Sequence, residues 1–257
     1  MSAFRTVTVS LAALISTGAA LAAPIGLSKG VEYKENFDTL ANTGADLNFD
    51  LAGWSISESG ARANGKYSAG AGTDNAGDIY SFGAAGSTDR ALGSLSSGSL
   101  SPVFGANFVN NTGATITSLL ISYVGEQWRL GNAGRTDRLD FQYSLNASSL
   151  TTGLWTDFDL LDFSSPNTTA TVGALNGNLA ANRTAISSTI ANLAIGNGST
   201  FWIRWVDFAA AGGNDGLAID DFSLRTTTAA ALPEPAGLAL VAVALAGAVF
   251  SRRRTAR

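Results

Sequence analysis

The sequence contains no cysteine and no histidine. Without cysteine the chain has no disulfides, so its stability must come from a buried hydrophobic core, which about 200 residues can supply. The absence of both residue types excludes Ser-His-Asp and Cys-His catalysis, thiolate nucleophiles, and zinc sites built on imidazole or sulfur. Carboxylates, hydroxyls, amides, lysine, arginine and tyrosine are what remain for chemistry.

Charged residues are also few, at 14% of the chain. Of the 20 acidic and 16 basic residues, one acidic and five basic residues lie before Pro24 or after Ala231. The 19 acidic and 11 basic residues that remain give the body a net charge of −8. An acidic body repels phosphate backbones. We therefore expect no nucleic-acid partner, and divalent cations suit this charge better.

The N-terminus has the layout of a secretory signal. Arg5 precedes a mostly apolar stretch from residue 7 to residue 20, and the run LAAP follows at residues 21–24. A charged start, an apolar centre and a small-residue cleavage site predict a signal peptide over residues 1–23, cleaved after Ala23. The export translocon and signal peptidase are the implied partners. The alternative, an amphipathic first helix of the fold, requires a polar face that this stretch lacks.

The C-terminus carries a second apolar segment. Residues 236–250 are all Ala, Gly, Leu, Val or Phe, and Arg252, Arg253 and Arg254 follow. As a helix the segment would be about 22 Å long, somewhat short of a hydrocarbon core about 30 Å thick. Arginines at a helix end reach the headgroups and favour the cytoplasmic side. The pattern predicts an inner-membrane helix over residues 236–250 with an arginine stop; the alternative is a buried core helix.

Pro233, Glu234 and Pro235 stand directly before this apolar segment. The tripeptide, the apolar helix and the arginine cluster, in this order at the extreme C-terminus, resemble the PEP-CTERM sorting signal of Gram-negative bacteria. The resemblance covers residues 232–257. It implies that an exosortase-type transpeptidase recognises the three residues, processes the chain there, and leaves the protein at the cell surface or outside the cell. Residues 226–231, rich in Thr and Ala, are predicted to be a spacer.

The sequence pattern of the body, residues 24–225, predicts a series of short strands. In RLDFQYSL at 138–145, apolar and polar residues alternate, which is typical of a half-buried strand. SLLISYV at 118–124 is apolar enough to predict a strand buried on both faces. Further strands are expected near residues 32–37, 53–59, 78–83, 102–110, 200–208 and 217–224. Gly- and Asn-rich turns separate them, without βαβ alternation, which predicts an all-β, antiparallel two-sheet jelly-roll sandwich.

Two short segments, NFD at 36–38 and GLAIDDFSL at 216–224, resemble the terminal strands of lectin-like and carbohydrate-binding jelly rolls. In such folds these strands lie side by side and often share a calcium ion. The resemblance implies that Asp38, Asp220 and Asp221 are oxygen ligands for calcium. The alternative is that they are solvated carboxylates at strand ends.

A Gly-rich stretch at residues 126–138 concentrates polar and aromatic residues. Glu126, Trp128, Arg129 and Arg135 are candidate ligand-binding residues there, because loops often carry binding sites and sugar rings stack on aromatic faces. The alternative is a structural loop held by salt bridges.

The sequence favours a non-enzymatic, exported surface or extracellular-matrix protein with exopolysaccharide as its candidate ligand. One alternative is a glycoside hydrolase or polysaccharide lyase that uses two carboxylates, such as Glu126 and Asp140, and needs neither Cys nor His. A second alternative is a structural passenger without a ligand.

Overall fold

The computed structural model describes residues 23–230. Residues 1–22 of the predicted signal peptide lie outside this range. The whole predicted sorting signal also lies outside it, including Pro233, Glu234, Pro235, Arg252, Arg253 and Arg254. Within the described range, no helix is both long enough and apolar enough to cross a membrane.

Fifteen strands make up the described chain, with two short 3-10 helices at Asp159–Leu161 and Ala180–Asn182. In chain order the strands are β1 (Ile25–Leu27), β2 (Tyr33–Glu35), β3 (Trp54–Ser59), β4 (Tyr67–Gly70), β5 (Asp78–Phe82), β6 (Ala91–Leu95), β7 (Ser101–Asn110), β8 (Ile116–Leu130), β9 (Arg138–Ser144), β10 (Thr156–Asp157), β11 (Phe163–Ser164), β12 (Gly173–Ala174), β13 (Arg183–Ile190), β14 (Thr200–Asp207) and β15 (Gly216–Thr228).

The strands form two sheets packed face to face. Sheet A has the order β1-β7-β14-β9-β10, with β3 also paired to β7 and β11 to β9. Sheet B has the order β12-β8-β15-β6-β5-β4, with β13 also paired to β8 and β2 to β15. The prediction of an all-β sandwich of two sheets is confirmed.

The main core lies between the sheets and is strongly aromatic. Trp205 is fully buried and contacts Trp54, Phe104, Tyr123 and Phe141 with ring centroids 5.2–6.1 Å apart. Alternate residues of each strand point to the same face, so the strands that supply this core turn their other residues outward. Truncating one such ring to alanine typically costs about 3–5 kcal/mol. Burial of these rings stabilises a chain that has no disulfides.

Three details differ from the sequence expectation. β1 pairs with β7, and β4 with β5, in parallel, because alternation fixes the face of a side chain but not the direction of its neighbour strand. Residues 118–124 are not buried on both faces: Leu120 is 38% exposed. β15 continues to Thr228, so the first half of the predicted spacer at 226–231 belongs to the sandwich.

The sandwich has two distinct ends. At one, which we call the tail end, Thr228 of β15 pairs with Ile116 of β8, and Thr200 of β14 pairs with Val109 of β7. At the other, which we call the loop end, lie the end of β14 at Asp207 and the residues around it. The eight residues of β14 span about 23 Å from one end to the other.

Candidate functional site

The predicted ligand-binding stretch at 126–138 is a strand over its first five residues. Glu126, Trp128 and Arg129 belong to β8, which ends at Leu130. Glu126 is 1% exposed and Trp128 2% exposed, and Trp128 Nε1 donates a hydrogen bond to Glu126 Oε2 at 2.8 Å. A tryptophan so deeply buried offers no face to a sugar ring. The prediction that Trp128 stacks on a sugar is therefore wrong. The Gly-rich residues that suggested a loop begin only after Leu130.

Trp128 is covered on the outer side of sheet B by residues 173–177. Leu175 N donates to Trp128 O at 2.8 Å, and a Cβ at Gly177 would lie 2.4 Å from Trp128 Nε1, which only glycine avoids. Trp128 also stacks on Phe82 with ring planes 3° apart. It belongs to a small second core.

The two predicted arginines fasten loops. Arg129 donates to two backbone carbonyls in the loop after β4. Arg135 donates to the Gly213 carbonyl and forms an ion pair with the buried Asp137 at 3.2 Å. Arg135 forms a salt bridge of the kind that the structural alternative predicts, whereas the partners of Arg129 are backbone carbonyls.

Carboxylates gather beside Trp128 on sheet B. Asp220 is 7% exposed and its neighbour Asp221 is exposed, at a bulge where the regular alternation of β15 is interrupted. Ala218 pairs with Glu126, so Asp220 lies one diagonal step from Glu126 across β8 and β15. We call Glu126, Asp220 and Asp221 the acidic junction. Asp221 has φ of 49° and lies at a break in the pairing with β8.

Two carboxyl groups of the acidic junction, those of Glu126 and Asp220, favour the protonated form. Burial raises the pKa of Asp220 to about 8, and the charge of Glu126 adds to this. Burial likewise raises the pKa of Glu126 to about 7, although the Trp128 hydrogen bond opposes the shift. Raised carboxyl pKa values are typical of catalytic acids. Neither carboxyl, however, is open to a polysaccharide chain.

Asp38, the third residue of the predicted calcium set, is held elsewhere. Its Oδ1 accepts a hydrogen bond from Arg90 N at 3.1 Å, and its Oδ2 accepts one from Asn36 Nδ2 at 2.7 Å. Among residues 23–230, no three acidic side chains lie close enough together to hold a metal ion. The set of Asp38, Asp220 and Asp221 is therefore not assembled. Asp221 instead lines, with Asn36, a cleft of about 440 Å³.

The outer face of sheet A, which points away from sheet B, carries a continuous row of residues across five strands. Strand pairing places Ser55 opposite Gly105, Gly105 opposite Arg204, Arg204 opposite Gln142, and Gln142 opposite Asp157. At about 4.8 Å per strand the row is about 19 Å long. Gly105 leaves the second position without a side chain, and a Cβ there would meet the Ile203 carbonyl at 2.1 Å.

Hydrogen bonds fix the side chains of this row, which we call the polar row. Arg204 Nε donates to Gln142 Oε1 at 2.7 Å, and Gln142 Nε2 donates to Asp157 Oδ1 at 2.6 Å. The Arg204 guanidinium lies 3.9 Å from the centre of the half-buried Trp155 ring. The row therefore combines fixed planar polar groups with an aromatic side chain.

Beside the polar row lies a groove of about 410 Å³ at the loop end. Its walls are Arg138, Asp140, Gln142, Asp157, Asp159, Asp162 and Phe208, with Phe141 at its base. We call it the acidic groove. Phe208 is 55% exposed, and the Arg138 guanidinium lies 5.7 Å from its ring centre.

Ion pairs hold the polar walls of the acidic groove. Arg138 pairs with Asp140 and, at 3.7 Å, with Asp162, and Asp162 Oδ1 accepts a hydrogen bond from Phe141 N at 2.8 Å. Burial raises the pKa of Asp162, and Asp140 and Asp159 raise it further. An exposed ring flanked by fixed carboxylate, amide and guanidinium groups is suited to a sugar, whose apolar face stacks while its hydroxyls hydrogen-bond.

Sequence reasoning found neither the polar row nor the groove. The predicted strands at 138–145 and 200–208 are correct, but the sequence does not show that the two strands pair and so place their polar side chains on one surface. Phe208 is the last residue of its predicted strand and stands one position beyond the end of β14. An aromatic residue directly after a strand and before a Gly-rich loop was the available signal.

No protein-family model matches the chain, and no curated protein matches its sequence. Among solved structures, it is similar to the K3 cleaved adhesin domain of Lys-gingipain from Porphyromonas gingivalis, with 15% identity over 76% of this chain and 99% of that one, at a TM-score of 0.44. It is also similar to the CBM22-1 xylan-binding domain of Paenibacillus barcinonensis Xyn10C, with 10% identity over 79% and 99% of the two chains, at a TM-score of 0.38.

A further similar structure is TmCBM61 in complex with β-1,4-galactotriose, with 12% identity over 75% of this chain and 94% of that one, at a TM-score of 0.35.

Proposed function

We propose that this protein is an exported, non-enzymatic glycan-binding protein whose binding surface is the polar row together with the acidic groove. The observation that carries the proposal is the accessible ring of Phe208 beside planar polar side chains that hydrogen bonds already hold in place. Groups fixed before binding lose little rotamer freedom on binding, which favours affinity. A row about 19 Å long has room for several sugar rings laid across the strands.

The position of the groove fits display on a surface. The described chain ends at the tail end, while the groove lies at the loop end, about 23 Å away along β14. If the sorting signal at residues 232–257 attaches the protein at its C-terminus, the groove faces away from the attachment point. Exopolysaccharide outside the cell is then the accessible ligand.

A glycan array tests the binding part of this proposal. We expect the purified full chain to bind a subset of glycans and Phe208→Ala to weaken that binding by about tenfold or more, as loss of a stacking ring does. Leu179→Ala is the matched control, because Leu179 has the same 55% exposure and lies outside the groove. Absence of binding to every glycan, or equal losses in both variants, contradicts the proposal.

The sorting part has its own test. Intact-mass analysis and cell fractionation should find the chain shortened at both ends and located outside the inner membrane. Glu234→Ala should retain the C-terminal segment and stay with the inner membrane. A full-length chain in the cytosol contradicts this part and leaves the glycan-binding part standing.

The competing enzyme function makes a different prediction. A hydrolase or lyase would release new chain ends from the glycan that the array identifies, and Glu126→Gln or Asp140→Asn would abolish the release. We expect no release above background from the native chain.

A further inference from the structure

The charge of the acidic groove is unbalanced. Four aspartates, at positions 140, 157, 159 and 162, face one guanidinium among its lining residues, that of Arg138. Arg138 is already paired with Asp140 and Asp162. Asp157 and Asp159 are both exposed. The groove therefore presents a net negative charge to anything that enters it.

The guanidinium of the neighbouring polar row does not reverse this balance. Arg204 of the polar row donates to Gln142 Oε1 and to the Leu150 carbonyl and lies against Trp155. These partners hold it over the Trp155 ring, and its single charge leaves the acidic excess in place. An anionic sugar entering the groove would meet like charges that it cannot avoid.

Besides carboxylates, the groove offers an aromatic ring to a bound cation. The exposed ring of Phe208 already has one guanidinium over it, at 5.7 Å, so its face lies within reach of a positive charge. Burial is the main cause of the raised pKa of Asp162, and the negative charges of Asp140 and Asp159 add to it.

We propose that the acidic groove selects glycans that carry free amino groups, such as de-N-acetylated amino sugars, over neutral glycans and over glycans that contain uronic acids. The inference deepens the proposed function and rests on it. The hydroxyls and the apolar sugar face supply binding common to all glycans. The attraction between the ammonium group of the sugar and the carboxylates of Asp157 and Asp159 supplies the difference in affinity between amino sugars and other glycans.

Calorimetry with three tetrasaccharides tests the selection: the glucosamine, N-acetylglucosamine and galacturonate tetramers. We expect the amino form to bind the full chain about tenfold more tightly than the acetylated form at low salt, a typical gain for a partly exposed charge pair. The difference in affinity between the amino and acetylated forms should shrink in 0.5 M salt, because salt screens the attraction between the ammonium group and the carboxylates. The galacturonate tetramer should bind most weakly.

Two variants separate the charge from the ring. Asp159→Asn should lower the ratio of the affinity for the amino form to the affinity for the acetylated form. Asp50→Asn, an exposed aspartate in another loop, is the matched control and should change neither. Phe208→Ala should weaken both sugars.

The outcomes distinguish this inference from the function on which it rests. Equal binding of the amino and acetylated forms, or the tightest binding for the galacturonate tetramer, overturns the selection and keeps glycan binding. Absence of binding to all three, together with a blank glycan array, overturns the proposed function as well. A preference for the amino form that Asp50→Asn reduces as much as Asp159→Asn does would show general attraction to an acidic protein and would overturn the role of the groove.

Discussion

The acidic junction on sheet B and the acidic groove on sheet A are built from the same kinds of residue. Each sets carboxylates beside an aromatic ring, Trp128 in the junction and Phe208 in the groove. Trp128 is 2% exposed and Phe208 is 55% exposed. In the junction Glu126 and Asp220 are covered and favour protonation, whereas in the groove Asp157 and Asp159 are exposed to solvent. Accessibility, rather than composition, separates a structural cluster from a candidate binding site.

The largest difference between the two regions should appear in stability. Trp128→Ala should lower the free energy of unfolding by about 3–5 kcal/mol, because it empties a packed second core. Trp155→Ala, at the half-buried ring of the polar row, should cost about 1 kcal/mol, mostly through its contact with Arg204. Urea unfolding of both variants measures the two values. Similar losses in both would erase the distinction between core and surface.

The pH dependence of stability sharpens the comparison. Asp220 has a folded pKa of about 8 against about 4 in an unfolded chain. A raised carboxyl pKa gives stability that is present below pH 4 and lost as the pH rises toward 8. Asp220→Asn should therefore gain at least about 1 kcal/mol over the native chain at pH 8 and little at pH 4.

Thermal unfolding between pH 4 and pH 9 in EDTA checks this expectation. The matched control is Leu179→Ala, at an exposed side chain that carries no titratable group, and its difference from the native chain should not change with pH. A pH-independent effect of Asp220→Asn would contradict a buried, proton-favouring junction.

The smallest effect is expected within the polar row. Arg204→Lys keeps the charge but loses the planar contact with Trp155 and the fixed hydrogen bond to Gln142. Glycan affinity should fall about threefold to fivefold, and the free energy of unfolding should fall by no more than the loss of about 1 kcal/mol expected for Trp155→Ala. Calorimetry against the glycan found on the array measures it, and an unchanged affinity would place the ligand in the groove alone.

Much of the fold was accessible from the sequence. The alternation in residues 138–145 and the aromatic run at 200–208 correctly located β9 and β14, since a two-residue period places a strand without reference to its neighbours. Strands that lack such a pattern, such as β4 with its sequence YSAG, were missed. The parallel pairing of β1 and β4 depends on long-range contacts that no local pattern encodes.

The site was less accessible for the same reason. Trp128 is an aromatic residue close to glycines in the sequence, which is typical of a loop site, but a segment distant in sequence, residues 173–177, covers it. The polar row joins Ser55 and Asp157, which are about a hundred residues apart and meet only through strand register. Sequence pattern located the strands, and register across five of them created the surface.

Backbone chemical-shift mapping by NMR, during titration with the glycan that the array identifies, tests the central claim most directly. We predict that the largest shifts fall on Gln142, Asp157 and Phe208, with β8 and β15 around Glu126 and Asp220 unchanged. Shifts centred on Glu126, Asp220 and Asp221, with the outer face of sheet A silent, would contradict the assignment of ligand binding to that face.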